Sequence, residues 1–536
     1  LPRPGYLSLI LSIALAATAN AQYVGSKACY GCHSTIYKSF VKTGMGRSIT
    51  PASEWSADTL PTEAIVGRFA VSHNQSGWQQ TESDPGVYSV DHQLAYTVGS
   101  GENGLTFLIR RGNFLFQAPL SYYSKSKKWD LSPGYESVDL GFGRMVPQEC
   151  INCHAGRAAP VNAFGAYADP PFTELAIGCE NCHGPGEAHV KSLGKKPGTI
   201  INPAKLKPRL AENICINCHQ GGDARVTQPG KTYLDFRPGE WAFDTAVIFK
   251  QPARTSDQQQ ADLLEHYSAM QASRCFRESA GKLSCLTCHD PHIQPRQPES
   301  VAFYRTKCLT CHNDQSCTLP LKVRAAKTPA DDCVGCHMPK RSVTQISHSA
   351  LTNHRIPARE GEPVPPAIQT IVDDVVVVDP PEGRPLKLPK VVLLQAYRDL
   401  AQKNPGYQSR YTALLGELDN KEPRDTFVQA ALGDKALTED HTEEAIEHLK
   451  LALAQGPAVY LELGQALAKL GRGDEAIEYL KKGVDLDPYN SVMQKTLILQ
   501  YINAKSYGEA RSLMEKYVAA FPEDSLMRSL LARVSK

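Results

Sequence analysis

The chain has 536 residues, a formal net charge of +2 and 42% hydrophobic residues. That length allows two or three domains with real cores. The balanced charge gives no reason to expect a nucleic-acid partner.

In chain order, the first element opens with the basic residue Arg3. An apolar stretch from about Tyr6 to Ala17 follows, then the small-x-small run Ala19-Asn20-Ala21. This reads as a secretory signal peptide over residues 1–21, cut before Gln22. A retained anchor is the competing reading, but the run is shorter than the roughly 20 residues a bilayer span needs. No later stretch is long and apolar enough to span. The mature protein is therefore expected to be soluble and exported, to a bacterial periplasm or beyond.

Fourteen of the sixteen cysteines fall into seven copies of one motif. The copies are Cys29-Cys32-His33, Cys150-Cys153-His154, Cys179-Cys182-His183, Cys215-Cys218-His219, Cys285-Cys288-His289, Cys308-Cys311-His312 and Cys333-Cys336-His337. Each is CxxCH, the attachment signal for c-type haem. Two thiols one helical turn apart add to the two vinyl groups of a porphyrin, and the next residue places its imidazole on the iron. Zinc knuckles and disulfide frameworks also use paired cysteines. Neither explains a histidine after every pair. With 16 histidines in 536 residues, chance would place one there about once in 30 trials. Seven c-type haems are expected, with His33, His154, His183, His219, His289, His312 and His337 as proximal ligands.

The remaining histidines balance this count. His441 and His448 lie in a helical tail, which leaves His73, His92, His189, His266, His292, His348 and His354, one per haem. The simplest reading is seven bis-histidine irons. His189 follows a Gly-Pro-Gly turn and His292 follows Asp290-Pro291, so each is free to reach a different haem. Met45, twelve residues past the first motif histidine, competes as a thioether ligand that would raise the potential of its haem. A methionine filling a gap against a porphyrin is the plainer reading. Cys275 and Cys317 lie outside the motifs, and a disulfide between them is the natural expectation in an oxidising compartment.

The first two motifs are 121 residues apart, whereas the last three follow at spacings of 23 and 25. Chain that short can only form a sleeve of short helices and loops around closely packed haems. The long first gap is rich in β-branched and aromatic residues broken by Gly, Asp and Pro, which predicts a small β-rich insertion at about residues 64–124. It is expected to cover a haem edge and to offer His73 and His92. Residues 356–390 read as a Pro-rich linker with a valine run that adds one strand. From 391 to 536 the pattern is helical. Gly433, Ala445 and Pro457 recur as Gly464, Ala476 and Pro488, and again as Ile498, Ala510 and Pro522, with offsets of 31 and 34. A small residue, an alanine and a helix-ending proline at this period are similar to tetratricopeptide repeats, which stack into a concave protein-binding surface. An unrelated helical bundle is the alternative. The fold expected is thus mostly α: a haem domain over residues 22–355, the β insertion inside it, and a helical solenoid at the end.

The first 355 or so residues resemble multihaem cytochromes of the hydroxylamine oxidoreductase and pentahaem nitrite reductase superfamily. The stretches that carry this are CENCHGPGEAHV, CLTCHDPH, CVGCHMPK and SHSALTNHRI. The resemblance implies that His189, in an HGPGxxH setting, ligates a neighbouring haem, and that haems pack in pairs as a wire. It does not extend to the catalytic features. No motif has the lysine of the nitrite reductases, no tyrosine matches the crosslinked one of the hydroxylamine oxidoreductases, and Met45 stands where related cytochromes often have histidine.

Three functions follow from these features. The first is electron transfer between a redox donor and acceptor, with the repeats docking a protein partner. The second is an oxidoreductase with one open haem acting on a small nitrogen or sulfur compound. It would need one spare histidine, His92 first, to be uncommitted. The haem of His33 would then be the open one, with Arg110, Arg111 or Tyr122 lining a pocket. The plainer reading of those three is surface charge and core packing. The third is an oligomer or conductive filament joined through the repeats.

Overall fold

The computed structural model describes residues 22–136, 138–162, 164–252, 265–340, 352–359, 361–363 and 369–534. The expected signal peptide and His348 lie outside the described residues. Among the described residues, no helix is long and apolar enough to cross a membrane.

The β-rich region is larger than expected. Nine strands form one antiparallel sheet: β1 (Ile49–Pro51), β2 (Glu63–Val66), β3 (Phe69–Asn74), β4 (Gly77–Asp84), β5 (Tyr88–Val98), β6 (Gly104–Arg111), β7 (Phe114–Gln117), β8 (Leu120–Tyr123) and β9 (Lys128–Leu131). Hairpin order runs β2-β3-β4-β5-β6-β8-β9, with β1 paired to β5 and β7 to β6. The ends curl toward each other, and Trp129 Nε1–H on β9 donates to the Pro61 carbonyl beside β2 at 2.9 Å. Residues alternate in and out along β4, as a half-buried strand requires. Trp78, Leu105, Phe107, Phe116, Leu120 and Trp129 fill the inside of the curl. Gln80, fully buried there, is satisfied by both backbone groups of Leu120 on β8, at 2.8 and 3.0 Å. The small insertion expected at 64–124 is therefore a domain-sized sheet over 49–131. Its outer strands, β1 and β9, were missed because each is only three or four residues long.

The outer face of this sheet seats the second motif. Leu108 and Leu115 pack with Ile151 of the helix Gln148–His154 and with Tyr167 and Phe172. A hairpin of β10 (Ala155–Pro160) and β11 (Tyr167–Ala176) then leads directly into the third motif at Cys179.

The expected linker is not a free tether. Its valine run forms β15 (Val375–Val377), paired with β14 (Thr370–Val372) on one side and with β13 (Ala246–Lys250) on the other; β12 (Ala224–Thr227) completes a four-stranded sheet. The helix Lys390–Lys403 lays Val392, Leu393, Ala396 and Leu400 onto Val247, Phe249, Val375 and Val377 of that sheet. Two strands were formed where one was expected, because the run pairs with chain 126–128 residues earlier in sequence.

The tail is a stack of helix pairs: Thr426–Thr438 with Thr442–Leu451, Pro457–Lys469 with Gly473–Leu486, and Ser491–Asn503 with Tyr507–Ala520, closed by Ser525–Val534. The repeated small residues sit at the crossings. Ala445, Ala476 and Ala510 are buried. Any Cβ on Gly433 or Gly464 would come within 2.7 or 2.5 Å of the facing leucine, Leu449 or Leu480. One detail differs from expectation. Pro457 opens a helix at its first position, where its missing N–H costs nothing, and so does not end one.

Substituting Gly464→Val should therefore destabilise the repeats by about 1–3 kcal/mol through overpacking against Leu480. Gly416→Ala, where the added Cβ meets nothing within 4 Å, should be neutral or stabilise by up to about 1 kcal/mol. Thermal denaturation of the two variants side by side measures both.

Candidate haem-binding sites

The motifs sit where short helices stop. The second, third, fourth and seventh motif histidines are the last residues of Gln148–His154, Cys179–His183, Pro208–His219 and Cys333–His337. The fifth motif leaves its helix at Cys288 and the sixth begins at the last residue of Glu299–Cys308. In the first, His33 breaks helical geometry (φ −115°, ψ 37°) inside Tyr30–Phe40. A helical turn brings the two thiols of each pair to one side, and its end turns the imidazole away from the helix.

The spare histidines come from elsewhere in the chain. His189, on the short helix Glu187–Lys191, lies opposite His33 with ring centres 6.3 Å apart and planes within 16°. His292 lies 6.1 Å from His183 at 21°, His354 lies 6.3 Å from His289 at 31°, and His266 lies 5.4 Å from His219 at 74°. Two imidazoles held on opposite sides of one metal by bonds of about 2 Å have centres roughly 6 Å apart. The first three pairs fit a bis-histidine haem iron, and His266 and His219 lie closer than that spacing. His266 also stands 4.6 Å from His354, so the fourth and fifth pairs adjoin.

Hydrogen bonds orient several of the rings. Nδ1–H of His183 donates to the Ile201 carbonyl (2.7 Å), that of His337 to Pro357 (2.9 Å), that of His354 to Thr352 (2.9 Å) and that of His292 to the Asp290 carboxylate (2.9 Å). With Nδ1 committed, Nε2 is left as the metal-facing nitrogen. Burial favours the neutral ring, the form that binds metal. It pushes His289 down to about 4 and His266 down to about 3, where the neighbouring His354 adds to the effect. Among the described residues no cluster of three or more Cys, His, Asp or Glu side chains is arranged to hold a metal ion. A structural zinc site needs four such ligands, whereas a haem iron takes two.

Thiols of different motifs also meet. Cys29 lies beside Cys179, Cys153 beside Cys218, Cys215 beside Cys285, and Cys308 beside Cys333. Cys182 is close enough to Cys218, and Cys288 to Cys308, for their charges to interact. These contacts connect the motifs in the order first, third, fourth, fifth, sixth, seventh, with the second beside the fourth.

Other candidates sit elsewhere. His73 packs its ring on Trp78 at 4.7 Å, and His92 stacks on Phe142 at 3.7 Å, where burial and Arg111 push it down to about 4. Both belong to the large sheet. Met45 lies in the turn Met45–Arg47; the next residue, Ser48, donates to the His154 carbonyl at 2.6 Å and accepts from the Ile177 N–H at 3.0 Å. His312 is exposed just past its helix. Arg110 pairs with Asp169, and Tyr122 packs on Trp129 inside the sheet. Arg111 lies over Phe116 and Tyr489 and helps line a cleft of about 780 Å³ between the sheet and the third repeat. The expected Cys275–Cys317 disulfide is corrected: the two are not bridged, and Cys275 lies toward Cys311 and Cys317 toward Arg324.

Two carboxylates were not anticipated. Asp379, in the supposed linker, accepts from Arg209 and from Asn213 Nδ2 (2.6 Å) on the fourth-motif helix, and from the Tyr267 hydroxyl (2.7 Å) next to His266. It thus ties the elements bearing His219 and His266 together. Glu180, inside the third motif, gathers backbone N–H groups from two loops. Nothing in the local sequence marks either as buried, since their partners are distant in the chain.

A family model described as "Cytochrome c554 and c-prime" matches residues 125–184, which hold the second and third motifs. A tetratricopeptide repeat model matches residues 467–534. The C-terminal region therefore carries tetratricopeptide repeats, and the cytochrome match implies c-type haem. No curated protein matches the chain. Similar solved structures include MamA (18% identity over 25% of this chain and 81% of that one, TM-score 0.23). YrrB, a TPR protein with an unusual peptide-binding site, is 16% identical over 26% of this chain and 82% of its own, TM-score 0.23. The first TPR of Spaghetti (RPAP3) bound to an HSP90 peptide is 16% identical over 20% and 90%, TM-score 0.19.

The fourth-motif helix also generates a pH prediction. Glu212 is buried with Oε1 lacking a hydrogen-bond partner, and burial together with Asp379 pushes its carboxyl up to about 7. A raised acid binds its proton more tightly in the folded than in the unfolded chain, so stability falls as pH rises from the ordinary carboxylate range to about 7. Glu212→Gln should remove this dependence and raise stability at pH 8 by on the order of 2–3 kcal/mol. Denaturant unfolding of the holo-protein at pH 5 and pH 8 checks it.

Proposed function

We propose that this protein is an exported electron-transfer cytochrome carrying seven covalently bound c-type haems, and that its repeat domain docks a protein partner. The observation that carries the reading is the opposition of a motif histidine by a non-motif histidine at 6.1–6.3 Å in three places, with His183, His292 and His354 each oriented through Nδ1. When bound, a haem iron with two histidine ligands gains and loses an electron with both axial positions filled. The chain's part is to fix each imidazole, keep it neutral by burial, and hold the motifs in contact. The thiol contacts supply a continuous order from the first motif to the seventh, with the second as a side branch. Export is supported by the motif itself, because c-type attachment takes place outside the bacterial cytoplasm.

The repeats support a docking role for a redox donor or acceptor. Tyr489, in the loop before the third repeat, packs edge-on against Phe114 and Phe116 of the sheet at 5.7 and 5.3 Å, and Arg528 donates to the Val87 carbonyl at 2.8 Å. A partner held by the repeats is thereby held in fixed relation to the haem-bearing part.

The test is to mature the protein in a host competent for c-type attachment and weigh it intact. A mass increase equal to seven haems is expected, with electron paramagnetic resonance of the oxidised protein showing only low-spin iron, unchanged by cyanide. Zinc with no haem would overturn the reading. A high-spin signal that cyanide converts would replace electron transfer with an open-haem oxidoreductase.

A further inference from the structure

The carboxylate of Glu180 sits between the two cysteines of the third motif, yet it does not serve that motif alone. It is 3% exposed. Its oxygens accept from the backbone N–H of Val24 (3.0 and 3.1 Å), Gly25 (2.7 Å) and Gly186 (2.6 Å). The first two donors lie just before the turn Ser26–Cys29, which leads into Cys32 and His33. The third lies at the head of Glu187–Lys191, which bears His189. One carboxylate thus grips both loops that carry the opposed rings of His33 and His189.

The grip is tight on every side. A Cβ on Gly186 would come within 3.2 Å of Glu180 Oε1 and 3.3 Å of Val24 Cγ2. Gly184, at φ +75°, turns the chain out of the third-motif helix toward Gly186, a conformation that suits glycine. Auxiliary bonds hold the same junction: Ser26 N–H donates to Glu174 (2.9 Å), Cys179 N–H to Ser26 Oγ (2.8 Å), and Glu187 N–H to the Gln22 carbonyl (3.2 Å). A carboxylate here is needed because three converging N–H donors require two acceptor oxygens with no donor of their own.

We propose that Glu180 is a positioning residue for the first haem, setting the His33–His189 axial pair from inside the third attachment motif. This rests on the reading that those two histidines ligate one iron. It makes the first haem's ligation depend on the third motif, so the two sites are structurally coupled.

The experiment compares full-length holo-protein with Glu180→Ala, Glu180→Gln and His189→Ala, using intact mass for haem count and paramagnetic resonance with and without cyanide for spin state. In Glu180→Ala, all haems should stay attached while one of the seven becomes high-spin and cyanide-reactive, the same signal as in His189→Ala. Glu180→Gln keeps the shape but replaces one acceptor with a donor facing N–H groups, and should shift the same single haem, in part or in full. If Glu180→Ala loses more than one haem, Glu180→Gln decides. Wild-type spectra from both Glu180 variants would overturn the proposal while His189→Ala still changed one haem. If His189→Ala also left every haem low-spin, the axial assignment beneath the proposal would be the part overturned.

Discussion

On the proposed reading, the histidine pairs answer one geometric demand: two neutral imidazoles about 6 Å apart, facing each other across a metal. The attachment motif supplies one of them by local geometry, because a helical turn holds both thiols and its end releases the histidine. The other must arrive from a distant loop. Short loops have little core of their own and cannot be held by hydrophobic packing alone. Here buried carboxylates take that role. Glu180 joins the loops of His33 and His189, and Asp379 joins the elements of His219 and His266. Each converts several unpaired donors into charge-assisted bonds, which are stronger than neutral ones.

The two sheets act as a frame for these loops. The large sheet buries its aromatic core inward and uses Leu108 and Leu115 on its outer face to seat the second-motif helix. The small sheet sits beneath the fourth motif and the first helix of the tail. The repeats are therefore a fixed extension of the haem-bearing part: the strand β15 and the helix Lys390–Lys403 share one core across the supposed linker. A protein docked on the repeats has no flexible tether to explore.

Much of the site was legible in the sequence. CxxCH is a local code, so its seven copies could be read directly. The turns before His189 and His292 marked both as free to reach another motif, and the structure brings each opposite a motif histidine. His92 stood out as the spare histidine least committed to an iron, because its run reads as a strand, and it packs on Phe142; what His73 packs on, Trp78, is set by the strand pairing and not by its own local pattern. The extent of the large sheet was underestimated because its short outer strands carry too few residues for a periodic signal. The valine run was read as a single strand because its partner, β13, lies far upstream.

What the sequence determined by itself was everything carried by spacing: the seven CxxCH motifs, and the repeat period with its small residues at the helix crossings. Those follow from bonds and contacts within a few turns of chain. Tertiary structure alone decided which histidine faces which, how the motifs follow one another in space, and which acidic side chains are buried to hold them. These depend on contacts between residues more than a hundred positions apart, such as Val24 with Glu180 and Asn213 with Asp379. No local pattern encodes such contacts, because the cost of burying a charge is met only by donors that folding brings to it.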